Sequence, residues 1–409
     1  MKGTFVTASA AVALALGLAT TGAMAQTAND KPIRIAVLSD MTGGFADVAG
    51  PGTVMAAKMA VEDYRARYPG RPVEVLSGDH QNKADIGASM ARGWYDTQGV
   101  DAILDVPNSA VALAVSEITK NANKTFLVTG GVSSQLTGEK CSPNTIHYSL
   151  DTWTMANVPT QSLVNQGGTS WFYISTDYAF GHDMERQSSQ ALEKAGGKVA
   201  GSVRYPLNSL DFSSYLLQAQ GSKAKVIALA APNGDFVNAV KQAAEFGIMG
   251  SSQQVTGLAV YISDIISLGA DVAKGAIVTT NWYWNLNDST RDFTKRFGER
   301  FNGKVPTELQ AGTYSAVYQF LRATDALKQS SDGRAVVEKM KELPSDDPLF
   351  GPGTIRADGR KMTPVYVFSV KKPPADQKND LYQLVRTVPV EEAYRPLADG
   401  KCPLVTAAK

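Results

Sequence analysis

This chain is poor in the residues that most often carry chemistry. Its 409 residues include three histidines and two cysteines. His80, His147 and His182 stand apart, at neither HxxxH nor HExxH spacing, and no CxxC pair occurs, so a metal centre has no sequence support. A G-x-S-x-G elbow and a Walker A loop are both missing. Gly50-Pro-Gly52 and Gly351-Pro-Gly353 do not continue to a third glycine at dinucleotide spacing, which leaves them as turns. The chain is therefore not expected to be an enzyme or to need a cofactor, and an exported hydrolase is the weakest reading. Charge of one sign is lacking too. Lys plus Arg number 40 against 39 Asp plus Glu, which removes the basic stripe that a nucleic acid or an anionic membrane surface would call for.

Long apolar runs are confined to the first 25 residues, MKGTFVTASAAVALALGLATTGAMA. Lys2 precedes an apolar run ending near Ala19, and Ala23-Met24-Ala25 offers a small-x-small cleavage pattern. The run falls short of the ~20 residues a membrane span requires. Residues 1–25 thus read as a removable export signal, with a mature chain beginning near Gln26 outside the cytoplasm, where ATP and nicotinamide cofactors are absent. In an exported chain the even pair Cys141 and Cys402 suggests a disulfide tying the C-terminal tail to the loop GEKCSPN. Two buried thiols are the alternative.

What the chain does have is enough apolar material for two cores, at 44% hydrophobic residues, and a strand–helix rhythm. Alternating apolar residues predict strands at 33–38, 73–76, 100–106 and 125–129, with helices at 55–67, 85–95 and 109–121 between them. The rhythm restarts after Asp151, with strands at 171–175, 198–204, 225–230, 254–257 and 276–280 and helices at 184–195, 212–220 and 235–246. Strands alternating with helices predict an α/β fold of parallel sheets covered on both faces, here as two similar lobes in series. From Ser289 the pattern turns helical, with Phe293, Phe297 and Phe301 on one stripe. Later, Asp358-Gly359 between apolar runs predicts a hairpin joining 354–357 to 365–368, and 371–380 reads as an exposed polar loop.

Ligands of parallel α/β sheets sit beyond the C-terminal ends of the strands. There the sequence places DMTGGF (40–45), Pro107-Asn108-Ser109, GGVS (130–133) and STDYAFG (175–181). Small polar residues just before helices expose amide N–H groups suited to a carboxylate, and Phe45, Tyr178 and Phe180 can wall a pocket. Ordinary capping and turn chemistry explains any one such loop equally well. Tyr283, within NWYWN (281–285), either walls the same cleft or packs beneath a crossover.

Together, and in this order, the segments IRIAVLSDMTGGFADVAGPGTVMAAKMAVED, VPNSAVALAVSEITKNANKTFLVTGGVSSQLTG, YISTDYAFGHDMERQ and GPGTIRADGRKM resemble periplasmic substrate-binding proteins of the branched-chain amino acid type. The resemblance implies two Rossmann-like lobes joined by a three-crossing hinge. Lobe 1 would take 26–150 and 282–350, and lobe 2 would take 151–281 and 351–409. It further implies a periplasmic monomer that closes on a small molecule and docks on an inner-membrane ABC permease. Carried over residue by residue, the family's ligand contacts fall on Asn108, Ser109, Gly131, Val132 and Ser133 in the first lobe, and on Phe180 and near Pro232-Asn233 in the second. The family's acidic partner for an ammonium should fall within 253–260, but QQVTGLAV holds no carboxylate. A buried ammonium without an anion costs several kcal/mol. The expected ligand is therefore a small carboxylate-bearing compound, such as an aromatic acid. An amino acid or amide remains the alternative if Asp177, Asp235 or Asp264 reaches the cleft, and a ligand sensor without transport is a further one.

Overall fold

The computed structural model describes residues 1–4 and 31–406. The expected leader lies outside the described residues apart from its first four. The chain forms two α/β lobes. The first is built on β1 (Ile33–Ser39), α1 (Gly50–Arg67), β2 (Val73–Asp79), α2 (Ala84–Thr97), β3 (Ala102–Asp105), α3 (Ser109–Asn121), β4 (Thr125–Val128) and β5 (Thr145–His147). These strands form one parallel sheet in the order β2-β1-β3-β4-β5. Alternation along β1 divides the core. Ile33, Ile35 and Val37 face one layer, while Ala36 and Leu38 face the other, where Trp94 of α2 and Val115 of α3 cover them. Helix α1 begins earlier than its apolar stripe suggested, because Pro51 is tolerated in a first turn.

The second lobe follows as α4 (Thr152–Asn165), β6 (Ser170–Thr176), α5 (Ala179–Lys194), β7 (Lys198–Tyr205), α6 (Ser213–Gly221), β8 (Val226–Ala230), α7 (Asn233–Glu245), β9 (Gln254–Gly257), α8 (Ile262–Leu268) and α9 (Ala270–Ala273). Its parallel sheet has the order β7-β6-β8-β9. Trp171 and Tyr173 pack toward Met184 and Leu192 of α5, and Phe172 and Ile174 toward Phe212 and Phe236. Strand β10 (Ile277–Thr280) ends this run. Helices α10 (Asp288–Arg300), α11 (Glu308–Leu327) and α12 (Gly333–Glu342) then return to the first sheet, where Phe293, Phe297 and Phe320 join Ile33 and Ile35 in one core.

The stretch from Ser345 onward differs from the expected hairpin. Strands β11 (Ser345–Asp347), β12 (Gly351–Ile355) and β13 (Lys361–Met362) form a small antiparallel sheet, and the turn at Asp358-Gly359 joins β12 to β13. Strand β14 (Val365–Val370) instead lies between β10 and β15 (Tyr382–Val388). The turn was legible from Asp-Gly. The partner was not, because the β14 side chains fill the second core, with Phe368 against both Tyr283 and Tyr382. Ile355 packs in the first core and Arg360 bridges β5. We propose on this basis that the third crossing falls near Thr363-Pro364 rather than at 350. Cys141 and Cys402 form a disulfide across a separation of 261 residues.

Candidate ligand-binding site

The C-terminal strand ends of both sheets converge on one small cavity of about 10 Å³, room for little more than a water molecule while the lobes are closed. Phe45 and Val48 follow β1, Pro107 follows β3, and Gly130 and Val132 follow β4. From the other lobe, Tyr178 and Phe180 follow β6, Pro232 and Asn233 follow β8, and Ala259 and Tyr261 follow β9. Leu309 of α11 completes the lining, which contains no Asp, Glu, Lys, Arg or His. The lobes are closed on it. Phe45, Val48, Val132 and Leu309 merge with Leu258, Ala259 and Tyr261 in a single buried apolar cluster.

Local backbone shapes this floor. Asp105 and Val106 both have positive φ, 79° and 58°. A β-branched residue at such an angle is strained. Val106 N–H donating to Leu38 O and Gly130 N–H donating to Asp105 O hold the bend that carries Pro107 to the cavity. A side chain at position 130 would meet Asp105 Oδ1 at 2.3 Å, so only glycine fits there.

Asn233 is the one primary amide in the lining. It is 6% exposed, and neither its Oδ1 nor its Nδ2 has a hydrogen-bond partner among the described residues. Its φ of 37° is one that asparagine tolerates better than most residues. A buried polar group left unpaired costs about 1–3 kcal/mol, so this carboxamide is poised for a partner that the protein does not supply.

The other sequence candidates lie elsewhere. Asn108 caps α3, its Oδ1 accepting from Ala110 N and Val111 N at 3.0 and 3.3 Å. Ser109 is buried in the first turn of α3, outside the lining. The Gly131 carbonyl accepts from Ser149 Oγ at 2.6 Å and contacts His147 Nε2 at 2.7 Å. Ser133 Oγ donates to Asp183 Oδ2 at 3.4 Å. That carboxylate also accepts from Ser134 N at 2.9 Å and Thr152 Oγ1 at 2.5 Å and is ion-paired with Arg186, so the anion nest foreseen for a ligand holds an internal carboxylate. Tyr283 stacks on Tyr382 and donates its hydroxyl to Asp380 Oδ1 at 2.9 Å. Pro107, Gly130, Ala259 and Tyr261 belong to the strand-end loops and were within reach of that rule. Leu309 carried no signal, because it enters from a helix far along the chain.

Of the three acids named as partners for an ammonium, Asp177 is exposed and pairs with His182 at 2.7 Å. Asp235 is buried beside Asn233 and accepts from Asn208 N at 3.1 Å, and burial pushes its carboxyl up to about 6. Asp264 accepts from Tyr261 N at 2.9 Å, and burial pushes it up to about 7. Glu308, next to Leu309, accepts from Thr280 Oγ1 at 3.1 Å and is pushed up to about 8, mainly by burial. None of these three lines the cavity.

The sequence model of the periplasmic binding protein family matches residues 32–378. The chain belongs to this family. A periplasmic binding protein from Burkholderia mallei is similar over 91% of this chain and 99% of that one, at 39% identity and a TM-score of 0.87. A branched-chain amino acid ABC transporter periplasmic ligand-binding protein from Burkholderia xenovorans LB400 is similar over the same shares, at 37% identity and a TM-score of 0.80. Among curated proteins, Leu/Ile/Val-binding protein homolog 6 of Brucella melitensis is 25% identical over 83% of this chain and 88% of its own length. A solute-binding protein of an ABC transporter from Rhodopseudomonas palustris, solved with benzoate, shares the fold at 15% identity and a TM-score of 0.78, covering 87% of this chain and 96% of that one. The fold is thus that of a type I periplasmic binding protein, and the family's place is the periplasm. No helix among the described residues is long and apolar enough to cross a membrane.

Proposed function

We propose that this protein is the ligand-capturing component of an ABC importer for a small organic acid with an apolar body. The leader at 1–25 would export it, the two lobes would close over the ligand by hinge bending, and the closed form would dock on a membrane permease. The observation that carries the ligand class is Asn233, a buried carboxamide with no internal partner in an otherwise apolar cavity free of ionic side chains. Its N–H₂ suits an acid's oxygen, and Phe45, Tyr178 and Phe180 suit a ring. Calorimetric titration of the mature protein with benzoates, short branched acids and leucine tests the reading. Binding of acids and not of leucine supports it, and mass spectrometry of co-purified ligand names the compound.

A branched-chain amino acid is the second reading. Buried Asp235 and Asp264 favour it, since an ammonium held in the cleft needs an anionic partner and both carboxyls lie without an ion pair among the described residues. Strong binding of leucine, isoleucine or valine with no response to acids would establish it instead.

A further inference from the structure

We propose that Glu308 and Asp264 set the charge this cleft accepts, because closing on an organic acid withdraws both carboxyl groups from water and takes up a proton with the ligand. The inference rests on the organic-acid reading of the cavity and adds the ionic state in which that ligand is held.

Glu308 opens α11, which packs on the first sheet, and Asp264 lies on α8, which packs on the second. They therefore come from opposite lobes, and hinge opening separates them. In the closed form they are 9% and 3% exposed. Neither has an ion-pair partner among the described residues, and each accepts one hydrogen bond, from Thr280 Oγ1 and from Tyr261 N respectively. The groups facing them add no positive charge. Glu308 faces Asp264, and both act on the hydroxyls of Tyr261 and Tyr382, which burial holds in the neutral form. Asp47 faces Asp264 and is itself paired with exposed Lys304 at 2.7 Å. Asn233, unpartnered and buried in the cavity wall, marks the ligand site, and the two carboxyls stand behind that wall, Glu308 next to Leu309 and Asp264 accepting from Tyr261 N. Asp105 is a useful contrast. It is equally unpaired, but it lies wholly within the first lobe beneath Gly130, so closure does not change its surroundings.

The sign of the effect follows from the two states. In open, wetted lobes these carboxyls titrate near the ordinary value of about 4. In the closed form burial holds Glu308 up to about 8 and Asp264 up to about 7. Closing between those limits binds protons, so affinity for an acid is greatest at low pH and is lost as pH rises toward 8. Each fully linked proton is worth about tenfold in Kd per pH unit. A ligand ammonium in the cavity would do the reverse, holding the carboxyls ionised and removing the uptake.

The test is calorimetric titration of the full mature protein with benzoate, 4-hydroxybenzoate and leucine at pH 6, 7 and 8, in two buffers of different ionisation heat. The expected result is uptake of about one proton per bound acid at pH 7 and a Kd that weakens by roughly a hundredfold from pH 6 to pH 8. Glu308→Gln should remove more than half of that uptake and flatten the pH slope. Asp264→Asn, checked for folding by circular dichroism, should flatten it too and keeps the test available if the first variant is unstable. Binding of an acid with no proton uptake, or with the same slope in both variants, overturns the inference alone. Binding of leucine and of no acid overturns the organic-acid reading and the inference with it.

Discussion

Two polar spots lie on the seam between the lobes, and they differ in what completes them. At one, Asp183 of α5 is 2% exposed and gathers Ser133, Ser134 and Thr152, with Arg186 paired to it and Gln187 donating to Ser134 Oγ. At the other, Asn233 has no partner for either amide atom. The first is a closed structural clasp, braced by Arg395 Nη2 donating to Ser134 O at 2.9 Å and by the nearby Cys141–Cys402 bridge. The second is open chemistry in an apolar wall. A site is better read from what the protein leaves unsatisfied than from where polar residues gather, because a satisfied network has no affinity left to offer a ligand.

Breaking the clasp should have the largest effect. Asp183→Ala removes the acceptor shared by three buried hydroxyls and frees Arg186, while Ser134 N–H keeps Thr152 Oγ1, and it should cost about 3–5 kcal/mol of stability by urea unfolding. A loss under 1 kcal/mol would mean the clasp is marginal. Next comes the bridge. Cys141→Ser with Cys402→Ser should lower stability by about 2–4 kcal/mol under oxidising conditions while leaving ligand affinity nearly unchanged. The open spot should respond the opposite way. Asn233→Ala should weaken acid binding by about 1–3 kcal/mol, roughly ten- to a hundredfold in Kd, with little loss of apo stability, because no internal hydrogen bond is removed. Equal losses of stability and affinity would erase the contrast between the two spots.

The rhythm of alternating apolar strands and amphipathic helices made both sheets readable in sequence, since buried parallel strands need little beyond local pattern. The same rule found the cavity's neighbourhood, because Phe45, Val132, Tyr178, Phe180 and Asn233 follow strand ends and line it. What failed to read depended on distant partners. The strand at 365–370 pairs with β10 and β15 rather than with its neighbour across Asp358-Gly359. Tyr283 became core because Tyr382, a hundred positions on, stacks against it. The gap in QQVTGLAV led the sequence reading to Asp235 and Asp264 in other segments, both of which are buried, but buried Glu308 went unnoticed. Spacing along one strand cannot reveal a carboxyl group brought in by another helix.

Ser133 gives the finest distinction between the two spots. Its position after β4 and the family resemblance assign its hydroxyl to a ligand carboxylate, which would make Ser133→Ala costly for binding. In the fold that hydroxyl reaches Asp183 at 3.4 Å and Gln135 N at 3.4 Å, both long for hydrogen bonds, and lies outside the cavity lining. Asp183 keeps shorter bonds from Ser134 and Thr152 without it. Ser133→Ala should therefore cost less than ~1 kcal/mol of stability and leave the affinity for an acid ligand within twofold. A tenfold weakening of binding in titration calorimetry would return Ser133 to the ligand and show that the clasp opens when the ligand enters.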